Sequence, residues 1–305
     1  MATYISDSDF EYFNSVLSGY PALYESRNAD LFASDSPSKM AFRILVERLC
    51  QDKNNYIPAN KLLTELLHCV PNRSPCNLIC CPSCRSRKQQ QQVKKALDLF
   101  KCASNDDTYF LTALMPMTVF LPDANKRIKT LRKELRHYLR AYSKDNSEAS
   151  FNVLGAFEYD LKTINEYKVS SDRAKELFTD LGYDASIKEA MWLPHLHAII
   201  SPITTKQRDE ISDIVKSCLF QGKFIKYAVE LKSLRSDKDV SDNISELTKY
   251  MWKVRLQHSD NIYANKDGIG KSKYKSVFPS EHLSLLVNTT KSNGSFKSLK
   301  FDIKT

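Results

Sequence analysis

Trp192-Leu193-Pro194-His195-Leu196-His197-Ala198-Ile199-Ile200 is an almost unbroken apolar run carrying two imidazoles set two residues apart. Its length and its branched and aromatic content predict a strand. Side chains alternate faces along a strand, so His195 and His197 share one face while Leu196 and Ala198 line the other. Two imidazoles on one face form a platform for a divalent metal. A lone His-x-His pair also arises by accident, so its neighbours decide its meaning. Working outward, Thr108–Leu114, Phe151–Tyr159 and Phe224–Leu231 read as further strands. Helices are predicted at about 124–142, over Thr205–Leu219 and over Ser241–Leu256, the last with Ile244, Leu247, Met251 and Val254 inward. Strands separated by helices around a small sheet predict an α+β layer fold.

The flanks differ in texture. Residues 1–68 carry apolar residues near helical spacing and read as an N-terminal helical region, with a loop and cap around Ser34–Ser38. Residues 69–104 hold a cysteine-rich element and then a polar, Gln-rich helix from Arg85 to Ser104. The chemistry-bearing strands fall within 105–256, and 257–305 reads as a basic C-terminal tail. The 305-residue chain has a net charge of +9, a moderate excess whose placement matters more than its size. Lys126, Arg127, Lys129, Arg132, Lys133, Arg136, Arg140 and Lys144 crowd one predicted helix. Such a stretch suits a phosphate backbone as partner, although a solvated helix face has the same look. No apolar run reaches the roughly 20 residues of a membrane span, and the opening residues are polar and acidic, so a cytoplasmic protein is expected. With only 7 glycines, no Gly-rich phosphate loop is available.

Lys249-Tyr250-Met251-Trp252-Lys253 lies on the predicted helix after the last strand. Tyr250 and Lys253 are one turn apart, with Glu246 one turn before. A tyrosine hydroxyl, with an ordinary pKa of about 10, attacks a phosphate only with help. Lys253 is a candidate for stabilising the phenolate, and Glu246 for activating a water or an incoming 3′-hydroxyl. A salt bridge between Glu246 and Lys249 is the plainer alternative.

Of the 8 cysteines, Cys76, Cys80, Cys81 and Cys84 fall close together, and the cytoplasmic setting expected above favours metal over disulfides. Cys76-x4-Cys81-Pro82-Ser83-Cys84 suits a structural tetrahedral zinc site. Cys69, His68 or Cys80 could complete it, and Cys69 is adopted as the fourth ligand. Arg85, Arg87 and Lys88 follow directly and join the candidate DNA-binding residues Lys126, Arg127, Lys129, Arg132, Lys133 and Arg136.

Taken in order, Cys76–Lys88, Tyr109–Leu114, Phe157–Tyr159, Trp192–Ile199 and Glu246–Lys253 resemble the motifs of the rolling-circle replication initiators of small bacterial plasmids, a family of HUH endonucleases. The resemblance spans roughly 70–255. The sequence departs from the family's pattern at Ala113, where a second Thr is usual, and at Leu193, where an additional His is frequent. What the resemblance implies is a central antiparallel sheet with flanking helices and an RRM/ferredoxin-like core. It further implies Mg²⁺ or Mn²⁺ held by His195, His197 and Glu158, where the family carries an acidic residue. Tyr250 would cut one strand of single-stranded or extruded origin DNA, giving a 5′-phosphotyrosine link and a free 3′-hydroxyl. A host polymerase would extend that end and a host helicase would unwind the duplex. A rolling-circle-type transposase of the same superfamily, and a non-catalytic zinc-containing DNA-binding regulator, are the competing readings.

Overall fold

The computed structural model describes residues 65–66, 69, 74–146, 149–187, 189–221, 223–253, 257–258, 262–265, 268–271, 276–277 and 280–304. The predicted N-terminal helical region lies outside these residues except for Glu65 and Leu66. The chain forms two compact units, Met1–Ser86 with Pro279–Asn288, and Arg87–Phe278 with Thr289–Thr305. The elements in order are α1 (Pro82–Leu99), β1 (Tyr109–Leu114), α2 (Leu121–Asp145), β2 (Asn152–Lys162), α3 (Ile164–Val169), α4 (Asp172–Asp180), β3 (Met191–Ser201), α5 (Thr205–Phe220), β4 (Val229–Ser233) and α6 (Val240–Met251). Then come β5 (Gln257–His258), β6 (Ile262–Asn265), β7 (Gly268–Lys271), β8 (Ser276–Val277), α7 (Ser280–Ser292), α8 (Phe296–Leu299) and β9 (Lys300–Lys304).

The second unit is α+β, built on a five-stranded sheet of order β4-β1-β3-β2-β9 in which every neighbouring pair is antiparallel. The central strand β3 is the quoted run, and all of it is buried. Its neighbours explain why. Leu196, Ala198 and Ile200 pair with the buried Phe157, Gly155 and Val153 of β2 and with Ala113, Leu111 and Tyr109 of β1. Helix α2 lies over this face through Leu121, Ala124, Ile128, Leu131, Leu135 and Leu139, spaced three or four apart as an amphipathic helix requires. It meets the sheet where Arg132 stacks on Phe157 and Arg136 on Phe301. Helix α5 joins it, held by a Thr204–Gln207 capping box. Gly155 allows a close approach of β2 to β3, because a Cβ there would stand 2.6 Å from the His197 carbonyl oxygen and 2.7 Å from Ala198 Cβ. No described helix is long and apolar enough to cross a membrane.

Several expectations need correction. The strand predicted over Phe224–Leu231 begins only at Val229, and Phe224 is 78% exposed. The last predicted helix stops at Met251 instead of Leu256, with Trp252 as its C-cap. Helices α3 and α4, between β2 and β3, were not anticipated. The largest difference is at the C-terminus. The stretch read as a basic tail holds α7, α8 and the edge strand β9, whose Lys300–Lys304 pair with Asn152–Ala156. The apolar Phe301 and Ile303 alternate with charged residues and sink into the core. The sheet domain therefore continues past the predicted boundary at 256.

Candidate functional site

The face of the sheet away from α2 carries the histidines. Strand register brings the ligand candidates together from distant stretches of chain. His195 is directly opposite Glu158 on β2, and His197 is directly opposite Thr112 on β1. One ligand atom from each of Glu158, His195 and His197 lies within 4.8 Å of the others. All three are buried, at 4% exposure each.

Each imidazole is oriented by a hydrogen bond at Nδ1. His195 Nδ1 is 3.2 Å from the Leu193 carbonyl oxygen, and His197 Nδ1 is 3.1 Å from Thr112 Oγ1. The Leu193 carbonyl can only accept, so His195 donates from Nδ1 and keeps Nε2 for a metal, the usual outer-sphere arrangement of a ligating histidine. His195 Nε2 stands 3.2 Å from Glu158 Oε2. Burial pulls the His195 pKa down, but the Glu158 hydrogen bond and the charges of Asp160 and Glu158 outweigh it and leave the value above the ordinary one. The other carboxylate oxygen, Glu158 Oε1, is buried with no hydrogen-bond partner among the described residues. A buried carboxylate oxygen is costly to leave bare, so this orphan fits a cation at the cluster. Two imidazoles and a carboxylate suit a divalent transition ion or Mn²⁺, and Mg²⁺ with added oxygen ligands.

Helix α6 places Tyr250 over the cluster. Its ring meets that of His197 edge-on at 5.0 Å between centroids and that of Phe110 at 6.2 Å, while Phe110 stacks on His197 at 5.5 Å. Tyr250 is 39% exposed, so a bulky substrate can approach it beside a metal cluster that is itself buried. Its two neighbours of the sequence reading, Glu246 and Lys253, have surroundings of their own. Glu246 is bound through both oxygens by Lys238, at 2.5 and 2.7 Å, and that ammonium holds its carboxyl below the usual range. Lys253 lies beyond the helix end, its amide closing a turn on the Tyr250 carbonyl. Sequence reasoning missed Thr112 and Phe110. The signal was their period-two spacing on a strand next to the histidine strand, which means nothing until the register is known.

Thr112→Val keeps the shape and removes the hydroxyl that orients His197. Affinity for Mn²⁺, measured by calorimetry, is expected to fall on the order of 10-fold, with Thr112→Ser restoring it. Equal affinity in all three proteins would show that Thr112 positions nothing.

The first unit holds a separate cluster. Cys69, Cys76, Cys81 and Cys84 bring their sulfurs within 4.8 Å of one another, with pairs at 3.5, 3.7 and 3.8 Å. Those spacings are far beyond a disulfide bond. They match tetrahedral zinc, whose ligands about 2.3 Å from the ion stand about 3.8 Å apart. Hydrogen bonds from Cys76, Cys81 and Cys84 hold the Cys69 thiol well below its ordinary pKa. Cys69 pushes Cys84 up while Cys76 and Cys81 pull it down, for a value of about 7. Cys69 in turn pushes the Cys76 and Cys81 thiols up, so without an ion the four sulfurs divide into two lowered and two raised. Cys80, considered as a ligand, is instead buried apart, its pKa pushed up to about 12 by burial. His68 lies outside the described residues.

The basic candidates scatter. Arg85 lies in the first turn of α1, near Cys80 and Cys81, and burial lowers its pKa. Lys88 on the same helix is lowered by burial and by Lys300 and Lys95, while Arg87 is half-buried. Arg127 donates to the Pro116 and Met117 carbonyls. Lys126, Lys129, Arg132, Lys133 and Arg136 lie on α2, across the sheet from the histidines. No protein-family model, curated protein or solved structure matches the chain.

Proposed function

We propose that this protein is a metal-dependent DNA-nicking and -joining enzyme with an HUH-type core, acting as a rolling-circle replication initiator. The observation that carries the reading is the Glu158–His195–His197 cluster on one sheet face with Tyr250 packed against His197. A divalent cation held by these three residues would withdraw charge from the scissile phosphate. Tyr250 supplies the nucleophile. Its oxygen forms a bond to phosphorus, the bond from phosphorus to the 3′-oxygen breaks, the phenol loses its proton and the departing 3′-oxygen gains one. The product is a 5′-phosphotyrosine and a free 3′-hydroxyl. One phosphodiester is exchanged for another, so reversal by an incoming 3′-hydroxyl needs no nucleotide hydrolysis. Phe110 and His197 hold the Tyr250 ring, and Thr112 and Leu193 fix the imidazoles. In the same reading the Cys69–Cys76–Cys81–Cys84 cluster holds a structural zinc. Origin DNA is the substrate, and the host polymerase and helicase are partners.

The test is cleavage of single-stranded DNA from the protein's own replicon, with Mn²⁺ and with EDTA. The expected result is a cut present only with metal, with DNA covalently attached to the peptide containing Tyr250 by mass spectrometry. No cut on either strand, from folded and metal-loaded protein, would overturn the reading and favour a non-catalytic DNA-binding role.

A further inference from the structure

Helix α2 presents a stripe of cations along one side. Lys129, Arg132, Lys133, Arg136, Arg140 and Lys144, with His137 and Ala141, line a surface cleft of about 580 Å³. At 100° per residue they share one arc of the helix, and Lys126 falls on the same arc. None of them forms an ion pair among the described residues. Arg132 is held below its ordinary pKa first by burial and then by the Arg136 charge, so the stripe already repels itself. The buried Nε atoms of Arg132 and Arg136 have no hydrogen-bond partner among the described residues. Such an array is best completed by a polyanion.

Strand alternation decides where that polyanion can lie. Arg132 sits on Phe157 and Arg136 on Phe301, whereas Glu158, the next residue of β2, belongs to the metal cluster. Adjacent residues of a strand face opposite ways, so the stripe and the cluster are on opposite faces of the same sheet. A strand seated against Tyr250 does not lie along α2. The cations recur about once per turn from Lys126 to Lys144, over about 27 Å of helix.

The stripe also tells which polyanion. Single-stranded DNA is held by aromatic platforms, yet Phe157 and Phe301 are covered by guanidinium groups. The one ring on the stripe, His137, is edge-on to Tyr138, which points to the opposite flank of the helix. A protein partner would need an apolar centre, and the stripe offers only the half-buried Ala141. We infer that α2 binds the phosphate backbone of duplex DNA, without reading sequence, at a second site on the face opposite the nicking centre. The protein then grips double-stranded DNA on one side of its sheet and works on a single strand on the other. The inference takes from the nicking reading only the identity of the polyanion.

The experiment uses the full chain and its Lys129→Ala/Lys133→Ala/Arg140→Ala variant, changed only at exposed positions so that the packed Arg132 and Arg136 stay. Binding of a fluorescent duplex of about 20 base pairs and unrelated sequence is followed from about 50 to about 300 mM salt. Affinity at moderate salt is expected to fall on the order of 10- to 100-fold, and the salt slope to become shallower by about 3. Cutting of a short single-stranded oligonucleotide should stay within about 2-fold, since the triple substitution is across the sheet. Unchanged duplex binding would overturn the inference. So would a parallel loss of duplex binding and cutting, which would mean one continuous strand path. Displacement of the duplex by poly-glutamate at equal charge would point to an acidic protein instead. Duplex binding by α2 in a protein that cuts nothing would leave the inference standing and refute the nicking reading alone.

Discussion

Replacing Tyr250 by phenylalanine is expected to slow strand cleavage by about 10³-fold or more, close to 4 kcal/mol in the barrier, while metal affinity stays the same. The ring of Tyr250 lies edge-on to His197 and to Phe110. Phenylalanine preserves both contacts, so the cluster beneath keeps its cover. The hydroxyl is the one group lost, and with it the atom that would form the phosphotyrosine. Single-turnover cleavage with Mn²⁺, run beside calorimetric titration of the metal, separates the two effects. Cleavage at the parental rate would move the nucleophile elsewhere. Lost metal binding would make Tyr250 part of the cluster's support and leave its nucleophilic role without a basis.

Cys84→Ser is expected to empty the cysteine cluster and to melt the first unit. Cys84 lies 3.5 Å from Cys69 and 3.7 Å from Cys76, so its sulfur is shared by two edges of the four-sulfur cluster. A serine oxygen is shorter, harder and protonated at neutral pH, which makes it a poor substitute for a thiolate. Zinc binding in small cysteine sites contributes on the order of 10 kcal/mol or more to folding, far above the margin of a typical domain. Zinc content by elemental mass spectrometry should drop from one per chain to nearly none, and the thermal transition of the first unit should be lost. Cys80→Ser is the control, since Cys80 is buried outside the cluster and its loss should leave zinc content intact. Full zinc occupancy in Cys84→Ser would remove the cluster from the list of metal sites.

The elements most legible in the sequence were those whose pattern is local. The apolar run around His195 and His197 declared a strand, and two-residue spacing alone put both imidazoles on one face. The long stripe of α2 and the Cys-x2-Cys turn at Cys81 were equally local. What the residues could not disclose is register. Glu158 entered through family resemblance, because nothing near Phe157-Glu158-Tyr159 says that it pairs with a strand some 40 residues later. Thr112 stayed invisible for the same reason. Helical spacing alone made Glu246 a neighbour of Tyr250, but side chains choose among partners, and Lys238 took the carboxylate. Lys253 was misplaced by a helix that ends one residue after Tyr250. β9 was missed because Lys300-Phe301-Asp302-Ile303-Lys304 is short, and its charge hides an alternation that only an existing sheet edge makes meaningful.

The pairing of β9 with β2 sets a schedule. Lys304 closes on Asn152, about 150 residues earlier, so the sheet must wait for the ribosome. At about 5 to 20 residues per second, roughly 8 to 30 s separate the synthesis of the two strands. Throughout that interval the Asn152–Ala156 edge of β2 is open, next to the strand that carries both histidines. Neighbouring nascent chains on one message would offer each other matching edges during that time. The yield of active protein in a cell should therefore depend on how fast the codons between Asn152 and Lys304 are read, as well as on how stable the finished fold is.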